Sequence, residues 1–256
     1  MPNHIILKNK IKNFNKKITV SGDKSISIRW VLFSSIASGV SNASNLLMSE
    51  DVLTAINAIK KLGIKVSLKK NICKIYGKGI DGYNYKKNLS INSGNSGTLG
   101  RLILGLIINT PNSIKLIGDK SLSNRDFKRI SDPLSNFGAS FKLSKNKHLP
   151  LKMIGSSKLK PIKYLENRGS AQCKSAVMFA GMRTNGKTFI KAKKSRNHTE
   201  LLCKYLKLPI KIKKQKNYDL IEVNKIRKIN KIIAQNTMES FNLKNNPALR
   251  NQLFKG

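Results

Sequence analysis

The sequence predicts an α/β domain of three repeated units, β-α-β-α-β-β-like in order, with helices clustered inside and small sheets outside. Three observations carry this reading. One order of parts recurs three times. The helices hold the more continuous apolar faces, which places them at the centre. No ladder of strands separated by single helices suggests a doubly wound sheet. Lys24 and Asp51 are 27 residues apart, Thr98 and Asp126 are 28 apart, and Gln172 and His198 are 26 apart, so paired helix starts keep their distance.

In the first unit Ser21-Gly22-Asp23-Lys24-Ser25 opens a helix that runs through Trp30 to Ile36 and ends near Gly39. Small polar residues at the start and Gly or Pro at the end are helix-boundary chemistry. A strand containing Asn45-Leu46-Leu47 follows. A second helix from near Asp51 places Val52, Ala55, Ile56, Ile59 and Leu62 on one face, and Gly63 follows it. Lys65 to Leu68 and Ile72 to Ile75 then form a hairpin-like pair.

The second unit starts a helix at Asn95-Ser96-Gly97-Thr98, carries it through Leu102 to Ile108, and stops it at Asn109-Thr110-Pro111. Ile114 to Ile117 is its strand. Phe127, Ile130, Leu134 and Phe137 mark a second helix before Gly138, and Ser140 to Leu143 pairs with Leu151 to Ile154. The third unit repeats this from Gly169-Ser170-Ala171-Gln172 through Ala176 to Ala180 and ends its helix near Asn185-Gly186. The strand Thr188-Phe189-Ile190 comes next. A second helix at His198 has Leu201, Leu202, Tyr205 and Leu206 on one face, and a hairpin joins Ile210 to Ile212 with Leu220 to Val223.

The 256 residues suffice for one large domain or two modest ones. A net charge of +38 would ordinarily suggest a polyanion partner. Here the lysines are scattered evenly and the aromatics are not interleaved with them to stack bases. The charge therefore reads as compositional drift that concentrates small anions near any cleft, with a basic nucleic-acid-binding protein kept as a rival reading. Cys73, Cys173 and Cys203 have no paired spacing. They read as reduced cysteines of a cytoplasmic protein, and no metal site is expected. No signal peptide and no membrane span is visible.

If the units are related by threefold symmetry, the Ser/Gly starts of their first helices face one cleft. Helix N-termini offer unpaired N–H groups and a positive dipole end, so the cleft would cradle an anion. Lys24 reads either as a ligand contact or as a solvated surface lysine. Arg29 stands inside an apolar helix beside Trp30 and needs a partner, either a ligand carboxylate or phosphate or a structural acid. Arg125 is a cleft residue or a solvated cap, and Arg101 matches Lys174 in placement and could be scaffold. Ser170 and Gln172 could meet a ligand oxygen or simply cap a helix. Asn197 or Thr199 could cap the third unit's second helix, with Arg196 and His198 pointing inward. Asp23, Asp51, Asp126 and Glu166 have no obvious mates for general acid/base work.

Five stretches in order carry a resemblance. They are Gly22-Asp23-Lys24-Ser25-Ile26-Ser27-Ile28-Arg29; Gly94-Asn95-Ser96-Gly97-Thr98 with Arg101; Gly118-Asp119-Lys120-Ser121-Leu122 with Arg125; Ser170-Ala171-Gln172-Cys173-Lys174-Ser175-Ala176; and Ser195-Arg196-Asn197-His198-Thr199-Glu200. With them the chain resembles the 3-phosphoshikimate 1-carboxyvinyltransferase family, the enolpyruvylshikimate-phosphate synthases of the shikimate pathway, over roughly residues 5 to 225. The resemblance implies an enolpyruvate transferase fold. It also implies transfer of the enolpyruvyl group of phosphoenolpyruvate to the 5-hydroxyl of shikimate 3-phosphate, with release of phosphate and no metal or organic cofactor. By the same resemblance Lys24 sits near phosphoenolpyruvate as an electrostatic contributor, while Ser25 and Arg29 hold the shikimate carboxylate. Gly97 and Arg125 bind phosphoenolpyruvate. Ser170, Ala171 (by its backbone) and Gln172 meet shikimate 3-phosphate, with Gln172 also near phosphoenolpyruvate, and Arg196 helps with the 3-phosphate.

Two departures stand out: Ile28 replaces a usual histidine, and Gly100 replaces a usual larger apolar residue. The resemblance divides the chain into residues 1–20, a strand region of a second domain; 21–225, the substrate-binding domain; and 226–256, a divergent crossover or a disordered tail. The family's acid/base carboxylates would lie in the second domain. Truncation, frameshift and a separately encoded C-terminal half all fit, as does an inactive anion-binding remnant. Weak substrate binding and negligible turnover are expected of this chain alone.

Overall fold

The computed structural model describes residues 21–70 and 72–234, so the expectations for residues 1–20 and for the end of the tail lie outside the described residues. The first unit runs through helix α1 (Lys24–Ser35), strand β1 (Ser38–Ser44), helix α2 (Glu50–Lys61) and the hairpin β2 (Lys65–Lys69) and β3 (Ile72–Lys78). The second contains β4 (Leu89–Asn92), α3 (Gly97–Leu106), β5 (Ser113–Ile117), the short α4 (Lys120–Ser123), α5 (Lys128–Ser135), β6 (Ser140–Ser144) and β7 (His148–Ile154). The third contains β8 (Lys163–Glu166), α6 (Ala171–Arg183), β9 (Lys187–Lys193), α7 (His198–Tyr205), β10 (Ile210–Lys214) and β11 (Tyr218–Asn224). A two-residue strand, β12 (Ile233–Ala234), follows.

The strands form three sheets of one topology: β12-β1-β3-β2, β4-β5-β7-β6 and β8-β9-β11-β10. In each the first pair is parallel and the other two pairs are antiparallel. The leading strand of each unit, which no sequence motif marks, is thus β4, β8 and, for the first unit, β12. Asn42 pairs with Ile233, so the first sheet is completed by chain from the far end of the domain. Ile226, Ile229 and Ile232 are buried on the way. The packed body therefore continues nine residues beyond 225, the expected end of the repeats, to Ala234.

Helices lie inside. Helix α1 is buried from Ile26 through Ser35, α6 from Cys173 through Arg183, and α3 throughout except at Thr98. A helix covered all round must be central. Its approach to its neighbours depends on small residues: a Cβ on Gly105 of α3 would overlap the Ala176 carbonyl oxygen of α6. Helices α2 and α5 are two-faced covers, with Val52, Ala55, Ile56 and Ile59 of α2 and Ile130 and Leu134 of α5 buried. Each sheet turns one face inward, as the alternating burial of β9 and β11 shows.

Two local expectations are corrected. The first strand is Ser38–Ser44 rather than Asn45-Leu46-Leu47. Asn45 takes a left-handed conformation at φ 56°, which ends the strand, and Leu46 packs into the core from the following loop. The polar residues of β1 suit a strand with partners on both sides, where Ser41 Oγ accepts from Ile232 N at 2.9 Å. On α7, Tyr205 is exposed and Leu202 alone of the predicted apolar stripe is fully buried, because the helix is only two turns long at the edge of the domain.

Candidate functional site

The first turns of α1, α3 and α6 supply the site. Each begins at a side-chain cap. Asp23 Oδ1 accepts from Ile26 N at 2.7 Å, Ser96 Oγ from Leu99 N at 3.3 Å, and Ser170 Oγ from Cys173 N at 3.3 Å. Ser170 is therefore a capping residue, and its backbone N–H donates to Glu166 Oε2 at 2.8 Å. Capping leaves other first-turn N–H groups and the positive dipole end for a ligand.

Helices α3 and α6 meet at Gln172. Its amide oxygen accepts from Arg101 Nη1, and its Nε2 donates to Thr98 Oγ1 at 3.0 Å. Arg125 reaches the same place from the segment after α4 and donates to Asn95 Oδ1 at 3.1 Å. A Cβ on Gly97 would lie 3.0 Å from Arg101 Nη1 and 3.2 Å from Arg125 Nη1, so glycine keeps room beside two guanidinium groups. Arg129 adds a third, donating to Cys173 Sγ at 3.3 Å. Burial, and then the like charges of Arg129 and Arg125, lower the Arg101 pKa. Three guanidinium groups gather here against the opposing pull of Asp126 on Arg101 and Arg129 and of Glu166 on Arg129, and such a cluster favours an arriving anion.

Helices α1, α6 and α7 meet at Arg29, which is 3% exposed. Its Nε donates to Thr199 Oγ1 at 2.6 Å, Nη1 to Ser25 O at 3.0 Å, and Nη2 to Ser175 Oγ at 3.2 Å. The rest of its donor fork has no partner among the described residues. Burial pushes its pKa down to about 10, against the opposing pull of the Glu200 carboxylate. That carboxylate is taken by Lys174 on α6: Nζ lies 2.5 Å from Oε1, both side chains are almost wholly buried, and neither group makes a further hydrogen bond among the described residues. Arg29 and Lys174 thus share one buried carboxylate, leaving the cluster one positive charge in excess.

The remaining candidates divide. Ala171 and Gln172 stand half-buried at the start of α6. Arg196 is exposed, yet its charge acts on Arg29 and His198, which places it on the rim. Lys24 turns to Asp51 of α2, 2.9 Å away, rather than to the arginines. His198 is buried while Arg196 is not, with Nδ1 unpartnered among the described residues, and burial followed by Arg29 lowers its pKa to about 4. Neither Asn197 nor Thr199 caps α7. Asn197 makes no cap bond, and the Thr199 hydroxyl serves Arg29 and Ser175 instead.

The candidate carboxylates Asp23, Asp51, Asp126 and Glu166, and with them Glu200, are engaged. Asp23 caps α1, Asp51 pairs with Lys24, Asp126 accepts from Lys128 N, Glu166 holds the backbone before α6, and Glu200 pairs with Lys174. No group of histidine, cysteine or acidic side chains among the described residues could hold a metal ion, and no described helix is long and apolar enough to cross a membrane. The two departures from the family pattern leave no void. Ile28 is buried in the core, and a Cβ on Gly100 would already stand 3.2 Å from Ser93 Oγ and 3.4 Å from the Phe127 ring. Sequence reasoning missed Ser175, Arg129 and the bonding roles of Thr98 and Thr199. Two signals were available: a hydroxyl beside a lysine directly ahead of the apolar run Ala176 to Ala180, and an arginine on the polar side of α5.

Three central helices with capped beginnings, arginines gathered around them, and three sheets of one topology outside define an inside-out α/β domain of the enolpyruvate transferase type. Residues 8–234 match the family model of EPSP synthase (3-phosphoshikimate 1-carboxyvinyltransferase). The chain belongs to the EPSP synthase family. It is 45% identical over 185 residues to the 3-phosphoshikimate 1-carboxyvinyltransferase of Streptococcus agalactiae serotype Ia, which covers 72% of this chain and 43% of that protein. It is 40% identical over 198 residues to that of Caldicellulosiruptor saccharolyticus, covering 75% of this chain and 45% of that protein. The solved EPSP synthase from Acinetobacter baumannii superposes with a TM-score of 0.79 at 30% identity, covering 86% of this chain and 50% of that one. The chain thus spans about half the length of the curated relatives it matches.

Proposed function

We propose that this chain supplies the shikimate 3-phosphate-binding part of a 3-phosphoshikimate 1-carboxyvinyltransferase acting in the cytoplasm. The observation that carries this is the excess of positive charge at the helix beginnings: Arg29 buried with part of its fork unused, and Arg101 and Arg125 converging beside Gly97 with Arg129 acting on Arg101. In this reading Ser25 and Arg29 hold the shikimate carboxylate. Ala171, Gln172, Ser170 and Arg196 receive the 3-phosphate end, and Gly97 and Arg125 receive phosphoenolpyruvate. Lys24 leaves Asp51 to join the second substrate. The reaction moves the enolpyruvyl group to the 5-hydroxyl and releases phosphate.

In this reading Asp23, Glu166 and Glu200 keep their cap, backbone and ion-pair contacts while Asp51 is released by Lys24, and the proton-transfer carboxylates are placed in the family's second domain, of which a separately encoded half is one source. Titration calorimetry with shikimate 3-phosphate tests the reading. Weak but measurable binding, lost in Arg29→Ala and reduced in Arg196→Ala, is expected. With phosphoenolpyruvate added, phosphate release stays at background. Absence of binding at millimolar ligand, binding indifferent to both substitutions, or phosphate release at an ordinary enzymatic rate by this chain alone would each overturn it.

A further inference from the structure

We infer that Arg101 is a positioning residue that holds the Gln172 amide in one orientation, so that Gln172 can meet a bound anion only as a hydrogen-bond donor. A guanidinium has donors and no acceptor. The Gln172 atom facing Arg101 Nη1 must therefore be the amide oxygen. The amide nitrogen then lies on the other side, where one hydrogen goes to Thr98 Oγ1 at 3.0 Å and the other takes no partner among the described residues. Thr98 alone would not decide the matter, since a hydroxyl accepts from nitrogen or donates to oxygen equally well.

Arg101 can act this way because it has little freedom. It is 7% exposed, its guanidinium carbon lies 5.2 Å from the centre of the buried Phe127 ring, and Nη1 sits against the Gly97 backbone. Gly100 permits this closeness, for Phe127 and Ser93 occupy the space a side chain there would need. Reversing the amide would set donor against donor beside a buried cation, a costly contact. The free Gln172 N–H stands at the positive end of α6 and joins Arg125 in offering donors alone. The site therefore favours fully deprotonated oxygens over hydroxyl donors.

The inference rests on the anion-site reading, but its first test does not. Record the side-chain amide resonances of the full chain labelled with nitrogen-15, assigning Gln172 by its loss in Gln172→Met. Two well-separated, slowly exchanging proton signals are expected. Arg101→Met should collapse their separation and speed exchange, with backbone signals away from the site unchanged, while Arg101→Lys keeps most of the separation. Gln172 signals identical in wild type and Arg101→Met overturn the inference. Should Arg101→Met fail to fold, loss of the separation in Arg101→Lys overturns it and retention supports it. Gln172→Glu adds a binding arm: its carboxylate still accepts from Arg101 but has no N–H to give. Its affinity for shikimate 3-phosphate should fall by about tenfold or more, with the unfolding midpoint unchanged or raised. Unchanged affinity overturns the donor role. If the wild-type chain binds no shikimate 3-phosphate while Gln172 still responds to Arg101→Met, the proposed function falls and the lock stands.

Discussion

Glu200→Gln tests the charge balance beneath the site. The carboxylate is the partner of Lys174, whose side chain is 0% exposed, and it is the largest attractive influence on Arg29. The neutral amide fits the same space but leaves Lys174 without its anion and Arg29 with only the weaker pull of Asp23. Removing one partner of a buried pair costs about 3–5 kcal/mol, and the effect on Arg29 places this case toward the upper end. Against a usual stability of about 5–15 kcal/mol that loss is large. With a urea slope of about 1–3 kcal/mol per molar, the unfolding midpoint should fall by about 1–5 M. The double substitution Lys174→Met with Glu200→Leu should recover most of the loss, since an apolar pair of similar volume avoids the desolvation cost altogether. Urea unfolding followed by circular dichroism measures all three proteins. A Glu200→Gln loss below about 1 kcal/mol would refute the argument, for it would mean that water or a proton shift relieves Lys174.

Two further outcomes follow from packing and charge. Gly105→Ala sets a Cβ 2.9 Å from the Ala176 carbonyl carbon and in overlap with its oxygen, so the crossing of α3 and α6 must open. A loss of about 2 kcal/mol or more is expected in thermal unfolding, despite the better helix propensity of alanine. His198 has a folded pKa of about 4, lowered by burial first and then by Arg29, with Arg196 and Lys174 acting the same way and Asp23 opposing. The unfolded chain takes up a proton below about pH 6.5 and the folded chain does not until about pH 4. The sign is therefore fixed. Stability present above pH 6.5 is lost as the pH falls through that window, by up to about 3 kcal/mol. Comparing urea midpoints at both ends for wild type and His198→Phe should show the substitution removing that part of the slope, and equal slopes would refute it.

Much of the fold was legible because it is local. The apolar runs of α1, α3 and α6 mark them as central, and Val52, Ala55, Ile56 and Ile59 or Ile130 and Leu134 mark α2 and α5 as covers. The hairpins β2–β3, β6–β7 and β10–β11 pair neighbours in the chain, where a turn sets the register. The strand β1 was misplaced because Leu46 and Leu47 are the apolar pair in a stretch whose strand is made of serine, asparagine and small residues. Its strand character comes from having partners on both sides, and neither partner is visible in its own composition.

In the candidate site, residue types were readable and pairings were not. An arginine inside an apolar helix announces a need for partners, but not that they are Ser175 and Thr199, 146 and 170 residues away. Lys24 was readable as a cation at a helix start, and only the coordinates show it turned to Asp51.

By itself the sequence determined the threefold order of parts, the inward helices, and the family to which the motifs point, because periodicity and capping chemistry act over a few residues. Tertiary structure decided that β12 closes the first sheet, that Lys174 rather than Arg29 takes Glu200, and that Arg101 turns the Gln172 amide. Those are choices among distant groups of similar chemistry. They are settled by which backbone segments can approach one another and by the free energy of leaving a buried polar atom unpaired, and neither quantity is written in any local stretch of chain.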